Sequence, residues 1–443
     1  MLLDPSELEL RQDPLAFFVH LSRTSPDITT FRFASGKEIV FLNHPDLIRE
    51  VLIERAEQFH KSDLTRAFAG GMGNGILLSE GEFWKQQVRL MRPAFHYKRL
   101  QGYAEVMSRF TLEMLEHWQN SEVRHIDEDM NALTLRVVAK CMFDVEAGED
   151  REIMHRAIML GQKVVGQMVY GWLNLPDWHP GLNRDGIRVV RALNEMVSRH
   201  IAYRRERGDL GDDLLSMLLE AQGQPGVQLS DRQLRDEVLT VITAGLETTA
   251  NALIWTWYLL DQSPSVKAKL KAEVDGLGRL PGFEDVQGLP YLDQVFKESL
   301  RLYPPVWIIG RENVEELELG GMRLPPKTQI VMSQWAAHRD PRFFPQPDEF
   351  RPERWTPEFE KSLPRGAYFP FSLGPRVCTG QGFATLEYKL IVATVLQKFD
   401  LELARPAPVR PEPNFTLCAH GGMPMRVKAR KGLDQAAKHG AKD

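Results

Sequence analysis

Cysteine is scarce in this chain: three thiols, Cys141, Cys378 and Cys418, in 443 residues. They are odd in number, far apart and form no CxxC, which argues against a disulfide framework or a structural zinc module and for a reducing compartment. An excess of positive charge is also lacking. The formal net charge is -5, so there is no global basic field and no nucleic-acid partner is expected. The opening stretch MLLDPSELELRQDPLAFF has acids within its first ten residues and no long apolar run. Neither a secretion signal nor a transmembrane anchor is expected there, and the expected location is the cytoplasm. No internal repeat and no Ser/Gly linker divides the chain. What remains is ordinary globular composition, 43% hydrophobic and 26% charged, with 28 prolines.

A coarse pass predicts a short N-terminal helix, strands at 29–33 and 38–42, and helical periodicity in HPDLIREVLIERA. Residues 64–81 read as a glycine-rich loop. From Phe83 to about residue 262 the pattern is mostly helical, broken at GED, NRDG, RGDLGD and GQPGVQ. The last helix opens on Ser230-Asp231-Arg232-Gln233, a capping box, and runs to Gln262 before Ser263-Pro264. At about 1.5 Å per residue it is roughly 48 Å long and must cross the body of the protein. Two more helices end at LDQVFKESLRLYPP. Short β-like pieces follow, then the irregular DPRFFPQPDEFRPERW, a further helix in GFATLEYKLIVATVLQKF and a final β-like pair in NFTLCAHGGMPMRV. The polar end, 428–443, reads as a frayed tail.

The stretch FSLGPRVCTG, Phe371 to Gly380, carries the chemistry. A lone cysteine is ordinarily a small buried hydrophobe. The pattern F-x-x-G-x-R-x-C-x-G has five fixed residues, and at roughly 5% usage each chance supplies on the order of 10⁻⁴ matches in such a chain. A thiolate ligand to haem iron needs a tight loop whose backbone N–H groups point at the sulfur. Gly374 permits the turn, Gly380 starts a helix whose positive end faces Cys378, and Arg376 can reach a haem propionate.

The segment resembles the haem-ligand loop of cytochromes P450, and further motifs follow in the family's order. The resemblance implies a mainly α fold with a smaller β-rich region, one domain over 1–443 with its core at about 12–427, and haem b held by Cys378 with Phe371 packing beside it. Glu298 and Arg301 of K-E-S-L-R, with Arg354 of F-R-P-E-R-W, resemble the family's buried ion network. An E-x-x-R alone is usually a surface pair. Ala244-Gly245-Leu246-Glu247-Thr248-Thr249 resembles the oxygen-activation site. A mid-helix Gly costs about 1 kcal/mol and could equally mark close helix packing. By resemblance Gly245 widens the helix, Thr248 orients water and dioxygen, Glu247 belongs to proton delivery, and Ala244 faces the substrate. Trp84 and Arg311 match propionate-facing residues. Where many members place Arg or His four residues after that Trp, this chain has Val88. Arg89 stands one place later, turned by about 100°, so the contact is not carried over to it.

The resemblance implies monooxygenation, with one atom of O₂ entering a lipophilic substrate. Electrons come from NAD(P)H through a separate ferredoxin or flavodoxin and its reductase. From 84 to 100 the chain carries Lys85, Arg89, Arg92, Lys98 and Arg99 and no acid. That is either a solvated face or a docking patch for such a donor. Apolar loop residues Ile76, Leu77, Val306, Trp307, Ile308, Ile309, Phe415 and Leu417 either line a substrate pocket or pack the core, and 164–178 could cap its entrance, where peripheral membrane contact is also conceivable. RLYPPVWIIGRE and QDPLAFF look like bacterial members that hydroxylate carotenoid rings. Fatty acids and terpenoids or steroids are the alternatives. A peroxide-driven haem-thiolate enzyme and a non-catalytic haem sensor or carrier are the competing classes. The first often lacks the acid–Thr pair, and the second needs no proton relay.

Overall fold

The computed structural model describes residues 2–3, 13–32, 38–66, 73–145, 180–208, 211–224 and 229–430. The expected entrance cap at 164–178 lies outside them. The principal helices are α1 (Pro14–Thr24), α2 (Gly81–Met91), α3 (Tyr97–Glu116), α4 (Ile126–Phe143), α5 (Pro180–Arg207), α6 (Leu214–Gln222), α7 (Asp231–Gln262), α8 (Pro264–Asp275), α9 (Pro290–Leu302) and α10 (Gln381–Lys398). The β-rich part centres on a sheet ordered β1 (Leu2–Leu3), β2 (Ile28–Arg32), β3 (Glu38–Leu42), β9 (Gln329–Met332), β6 (Ile309–Asn313), β4 (Phe59–Lys61). The expected division into a mainly helical body and a smaller β region is the one observed.

The long helix begins and ends where its caps predict. Ser230 Oγ accepts from the Gln233 N–H at 3.2 Å, and Gln233 Oε1 accepts from the Ser230 N–H at 2.6 Å. Among the described residues α7 is the one helix apolar and long enough to cross a membrane, yet 72% of its most apolar window is buried inside the protein. It is the core helix, and each face has its own partner. The Thr134 hydroxyl of α4 donates to the Leu246 carbonyl at 3.0 Å. Thr256 and Tyr388 of α10 share a hydrogen bond of 2.7 Å, and Trp255 stacks on Tyr303 with centroids 4.1 Å apart.

Four local expectations change. HPDLIREVLIERA is not one α-helix: Pro45–Arg49 is α and Glu50–Glu54 is a π-helical turn. The glycine-rich loop opens with a helical turn, Asp63–Arg66. The final β pair is not a pair. Leu417–Ala419 (β12) pairs with Pro411–Pro413 (β11), whereas Pro424–Ala429 (β13) joins Phe399–Leu403 (β10) and Val123–His125 (β5). β13 reaches Ala429, and Arg430 pairs with Asp275 of α8 at 2.7 Å, so ordered structure continues past residue 427.

Glu298 and Arg301 form a buried ion pair on α9. Both side chains are completely buried. Arg301 spends all five of its N–H donors. Nε and Nη2 grip the Glu298 carboxylate at 2.8 and 2.9 Å, Nη1 donates to the His338 and Pro347 carbonyls at 2.9 and 2.6 Å, and Nη2 also reaches the Glu349 carbonyl at 3.0 Å. Glu298 accepts further bonds from Arg354 Nε, the Arg351 N–H and Trp355 Nε1, each at 2.9 Å. The irregular stretch 338–355 has little secondary structure of its own, so these bonds hold it in place. Truncating Glu298 strands a buried guanidinium. We predict that Glu298→Ala lowers the unfolding free energy by about 3–5 kcal/mol in urea denaturation, and that Glu298→Gln, which keeps the shape but not the charge, falls between it and the wild type.

Candidate active site

The cysteine loop hangs between that ion network and α10. The Phe369 N–H donates to His338 Nε2 at 3.0 Å, the Tyr368 hydroxyl donates to the Lys297 carbonyl at 2.9 Å, and Phe371 meets Phe296 of α9 with ring centroids 6.3 Å apart. The turn closes when the Cys378 N–H donates to the Phe371 carbonyl at 2.9 Å. Gly374 is needed twice. Its φ is +68°, and a Cβ there would stand 2.0 Å from the Leu52 carbonyl oxygen of the π-helical turn. Gly380 is the N-cap of α10, as expected, and a Cβ on it would lie 3.9 Å from the Cys378 sulfur. Cys378 is accessible at its surface yet ringed by protein. Burial pushes its thiol up, and the Gly380 N–H pulls it back.

A cationic cradle stands beside this loop. Arg376 stacks its guanidinium 3.9 Å from the Trp84 ring centroid, donates to the Ser79 carbonyl at 2.8 Å and pairs with Glu80. Arg311 is buried on β6, opposite Lys61 of β4. Burial, together with the positive Arg376, pulls Arg311 down to about 10. Burial and the nearby Arg311 and Arg376 lower Lys61. Glu80 is the carboxylate that acts on Arg311, Arg376 and Lys61. The Arg311 and Arg376 guanidiniums outnumber the one carboxylate, and that positive excess suits a haem propionate. Neither Lys61 nor Glu80 stood out in the sequence, because neither sits in a motif. Arg89 is exposed, and with half-buried Val88 it lines an outer groove.

On α7, Ala244 is exposed and Thr248 half-buried, with the Thr248 hydroxyl donating to the Ala244 carbonyl at 2.8 Å. Glu247 is buried and turned to the β12 hairpin. Its Oε1 accepts from the Thr416 hydroxyl at 2.5 Å and the Cys418 thiol at 3.5 Å, while Asn251 Nδ2 donates to the same Thr416 oxygen at 2.8 Å. Gly245 faces α4, where a Cβ would stand 2.9 Å from Val138 Cγ2, so close helix packing accounts for this glycine.

The expected pocket residues divide. Ile76, Leu77, Val306, Ile308, Ile309 and Phe415 are half-buried. Leu417 is a correction: it is wholly buried in a cluster with Phe17, Phe18 and Trp307, because its backbone is tied to the Pro305 carbonyl at 2.9 Å and to Trp255 Nε1 at 2.7 Å. Trp307 belongs to the same core. One polar residue went unnoticed. Glu237 of α7 is fully buried, and its Oε2 accepts from the Ile76 N–H at 2.9 Å.

Among the described residues no group of three or more His, Cys, Asp or Glu side chains could hold a metal ion. A single thiol in a cationic recess suits a metal that brings its other ligands with it, as in a porphyrin. These features fit a haem-thiolate protein. A family model described as "Cytochrome P450" matches residues 6–423, and the chain belongs to the cytochrome P450 family. It is 34% identical to cyclooctatin synthase of Streptomyces melanosporofaciens over 93% of this chain and 91% of that one. It is 35% identical to cyclooctat-9-en-7-ol 5-monooxygenase of the same organism over 93% and 88%. The crystal structure of the cytochrome P450DA heme domain superposes with a TM-score of 0.85 at 27% identity, covering 94% of this chain and 93% of that one. The protein is an oxidoreductase of the P450 monooxygenase kind, and family membership implies a haem-thiolate centre and use of O₂.

Burial raises the Glu237 carboxyl to about 8, with the Ile76 N–H opposing and Asp236 adding to the rise. Between pH about 4.5 and 8 the unfolded chain therefore releases a proton that the folded chain keeps, and stability falls as pH rises through that window. Glu237→Gln removes the slope. Urea denaturation across pH should show the two proteins converging toward pH 4, with the variant more stable by about 2–4 kcal/mol at pH 8.

Proposed function

We propose that this chain is a cytoplasmic monooxygenase of a terpenoid-type lipophile, using electrons passed from NAD(P)H by a separate ferredoxin or flavodoxin. The observation that carries the reading is Cys378, a lone thiol fixed by the Phe371 carbonyl, beside the Arg376–Trp84–Arg311 cradle. When bound there, haem supplies dioxygen activation. Cys378 would ligate it, and Arg311, Arg376, Lys61 and Trp84 would hold its propionate side. The chain's own residues supply the proton path. Glu247, held by Thr416, accepts and releases a proton at Oε1, and Thr248 passes it from its hydroxyl when that group leaves the Ala244 carbonyl. Half-buried Ile76, Leu77, Val306, Ile308 and Phe415 favour an apolar substrate. The relatives cyclooctatin synthase and cyclooctat-9-en-7-ol 5-monooxygenase favour a terpenoid-type substrate over a fatty acid.

Electron entry is read from the surface. Lys85, Val88, Arg89, Arg92, Pro93, His96, Lys98 and Arg99 line a groove of about 660 Å³. Phe95, in the same turn as Arg92 and Pro93, comes within 3.7 Å of where a Gly380 Cβ would be, so this basic groove adjoins the cysteine loop. Its charge suits an acidic donor.

Reduced, CO-treated protein should show a Soret band near 450 nm (expected from the family resemblance), and Cys378→Ala should lose it; no such band in haem-loaded wild type would overturn the thiolate assignment. With substrate, donor and NAD(P)H, Thr248→Ala should keep consuming electrons while releasing more peroxide and less product, measured as the peroxide-to-product ratio. Unchanged coupling would remove Thr248 from the proton path. Reversing Arg89 and Arg92 to Glu should slow reduction by an acidic ferredoxin about tenfold or more at low salt, and the difference from wild type should shrink as ionic strength rises in stopped-flow measurements.

A further inference from the structure

Glu237 stands in line with the reactive end of α7. Seven residues separate it from Ala244 and eleven from Thr248, rotations of about 700° and 1100°, so all three fall within roughly 20° of one stripe. Ala244 is exposed and Thr248 half-buried on this stripe, whereas Glu237 is fully buried. Its Oε2 accepts from the Ile76 N–H, and its Oε1 has no hydrogen-bond partner among the described residues. Buried polar atoms in folded proteins are nearly always paired, so a wholly buried oxygen left over on this stripe calls for a ligand.

Holding the Gly73–Ile76 segment does not require that oxygen. The Asn74 N–H donates to Asp236 Oδ2 at 2.8 Å, and Cβ atoms at Gly73 and Gly75 would stand 2.2 Å from the Asp236 carboxylate and 2.3 Å from Thr240 Oγ1, so the segment already lies directly on the helix. Nor is Glu237 half of an ion pair among the described residues. The neighbouring cation, Arg235, spends its Nε on Asp236 at 2.9 Å. A carboxyl whose one oxygen accepts a backbone N–H, in a recess that keeps it protonated, presents an O–H from the other.

We propose that Glu237 is a specificity residue whose Oε1 hydrogen-bonds a hydroxyl or carbonyl oxygen already present on the lipophilic substrate, roughly 10 Å along the helix from Ala244. The inference rests on the monooxygenase reading above and narrows its substrate class to a lipophile that arrives oxygenated at one end and is oxidised at the other. The preceding reaction is then one that installs or retains that oxygen.

The test is isothermal titration of the haem-loaded protein with geranylgeraniol and with its deoxy hydrocarbon analogue, without electron donor. Wild type should bind the alcohol about 10- to 100-fold more tightly. Glu237→Gln, whose amide can still accept from Ile76 and donate to the ligand, should keep most of that preference. Glu237→Leu should lose it by weakening the alcohol alone. Equal affinity of wild type for the two probes overturns the proposal even if the Leu variant fails to fold, and so does a Leu variant that keeps the preference. Binding is read without turnover, so the outcomes separate. An intact alcohol preference without oxygenation sinks the functional reading, and oxygenation without the preference sinks this one.

Discussion

The buried Glu298–Arg301 pair is the contact on which the rest of the site depends. A buried ion pair adds little net stability when intact, because desolvation offsets its attraction, but it becomes costly once one partner is gone. Here the pair works as a junction. Arg301 collects three backbone carbonyls from 338–349, and Glu298 collects donors from 351–355. His338 and Trp355, held in this way, meet Phe369 and Tyr368 in turn, through a 3.0 Å hydrogen bond and a ring contact of 4.6 Å. Two residues further on is Phe371, where the cysteine loop begins. The position of Cys378 is thus inherited from a junction three contacts away.

The second constraint is the long helix. Its length lets one element present different faces to different tasks. Gly245 lies against α4, Thr256 ties to α10, Glu247 reaches the β12 hairpin, and Glu237, Ala244 and Thr248 share a stripe. Adjacent residues in a helix differ by about 100°. The neighbours Glu247 and Thr248 therefore meet different surroundings, the acid held by Thr416 and the hydroxyl held by its own helix.

Much of this was legible in the chain itself. The capping box and Ser263-Pro264 placed the two ends of α7, the turn glycines marked the cysteine loop, and the E-x-x-R spacing placed two side chains on one face of α9. Each is a local signal, written within a few residues by helix period or turn chemistry. Other features were not legible for a definite reason. Arg376 was assigned to a propionate, and its partner Glu80 lies 296 residues away in sequence. Thr416 lies 169 residues from Glu247. Leu417 looked like a pocket residue because apolarity is the same for lining and for core, and only the bonds to Pro305 and Trp255 decide between them. The π-helical turn at Glu50–Glu54 carries no sequence mark, and its meaning comes from the close approach of Gly374.

By itself, the sequence determined the identity and spacing of the reactive groups: a thiol in a glycine-turned loop, an acid beside a hydroxyl on a long helix, and an acid three residues from an arginine. Those follow from backbone rules that act over one or two turns. Only the tertiary structure decided which charges are buried, which carbonyl or carboxylate answers each donor, and which oxygen is left without a partner. Desolvation and pairing depend on segments hundreds of residues apart arriving at the same place, and no local pattern records that arrival.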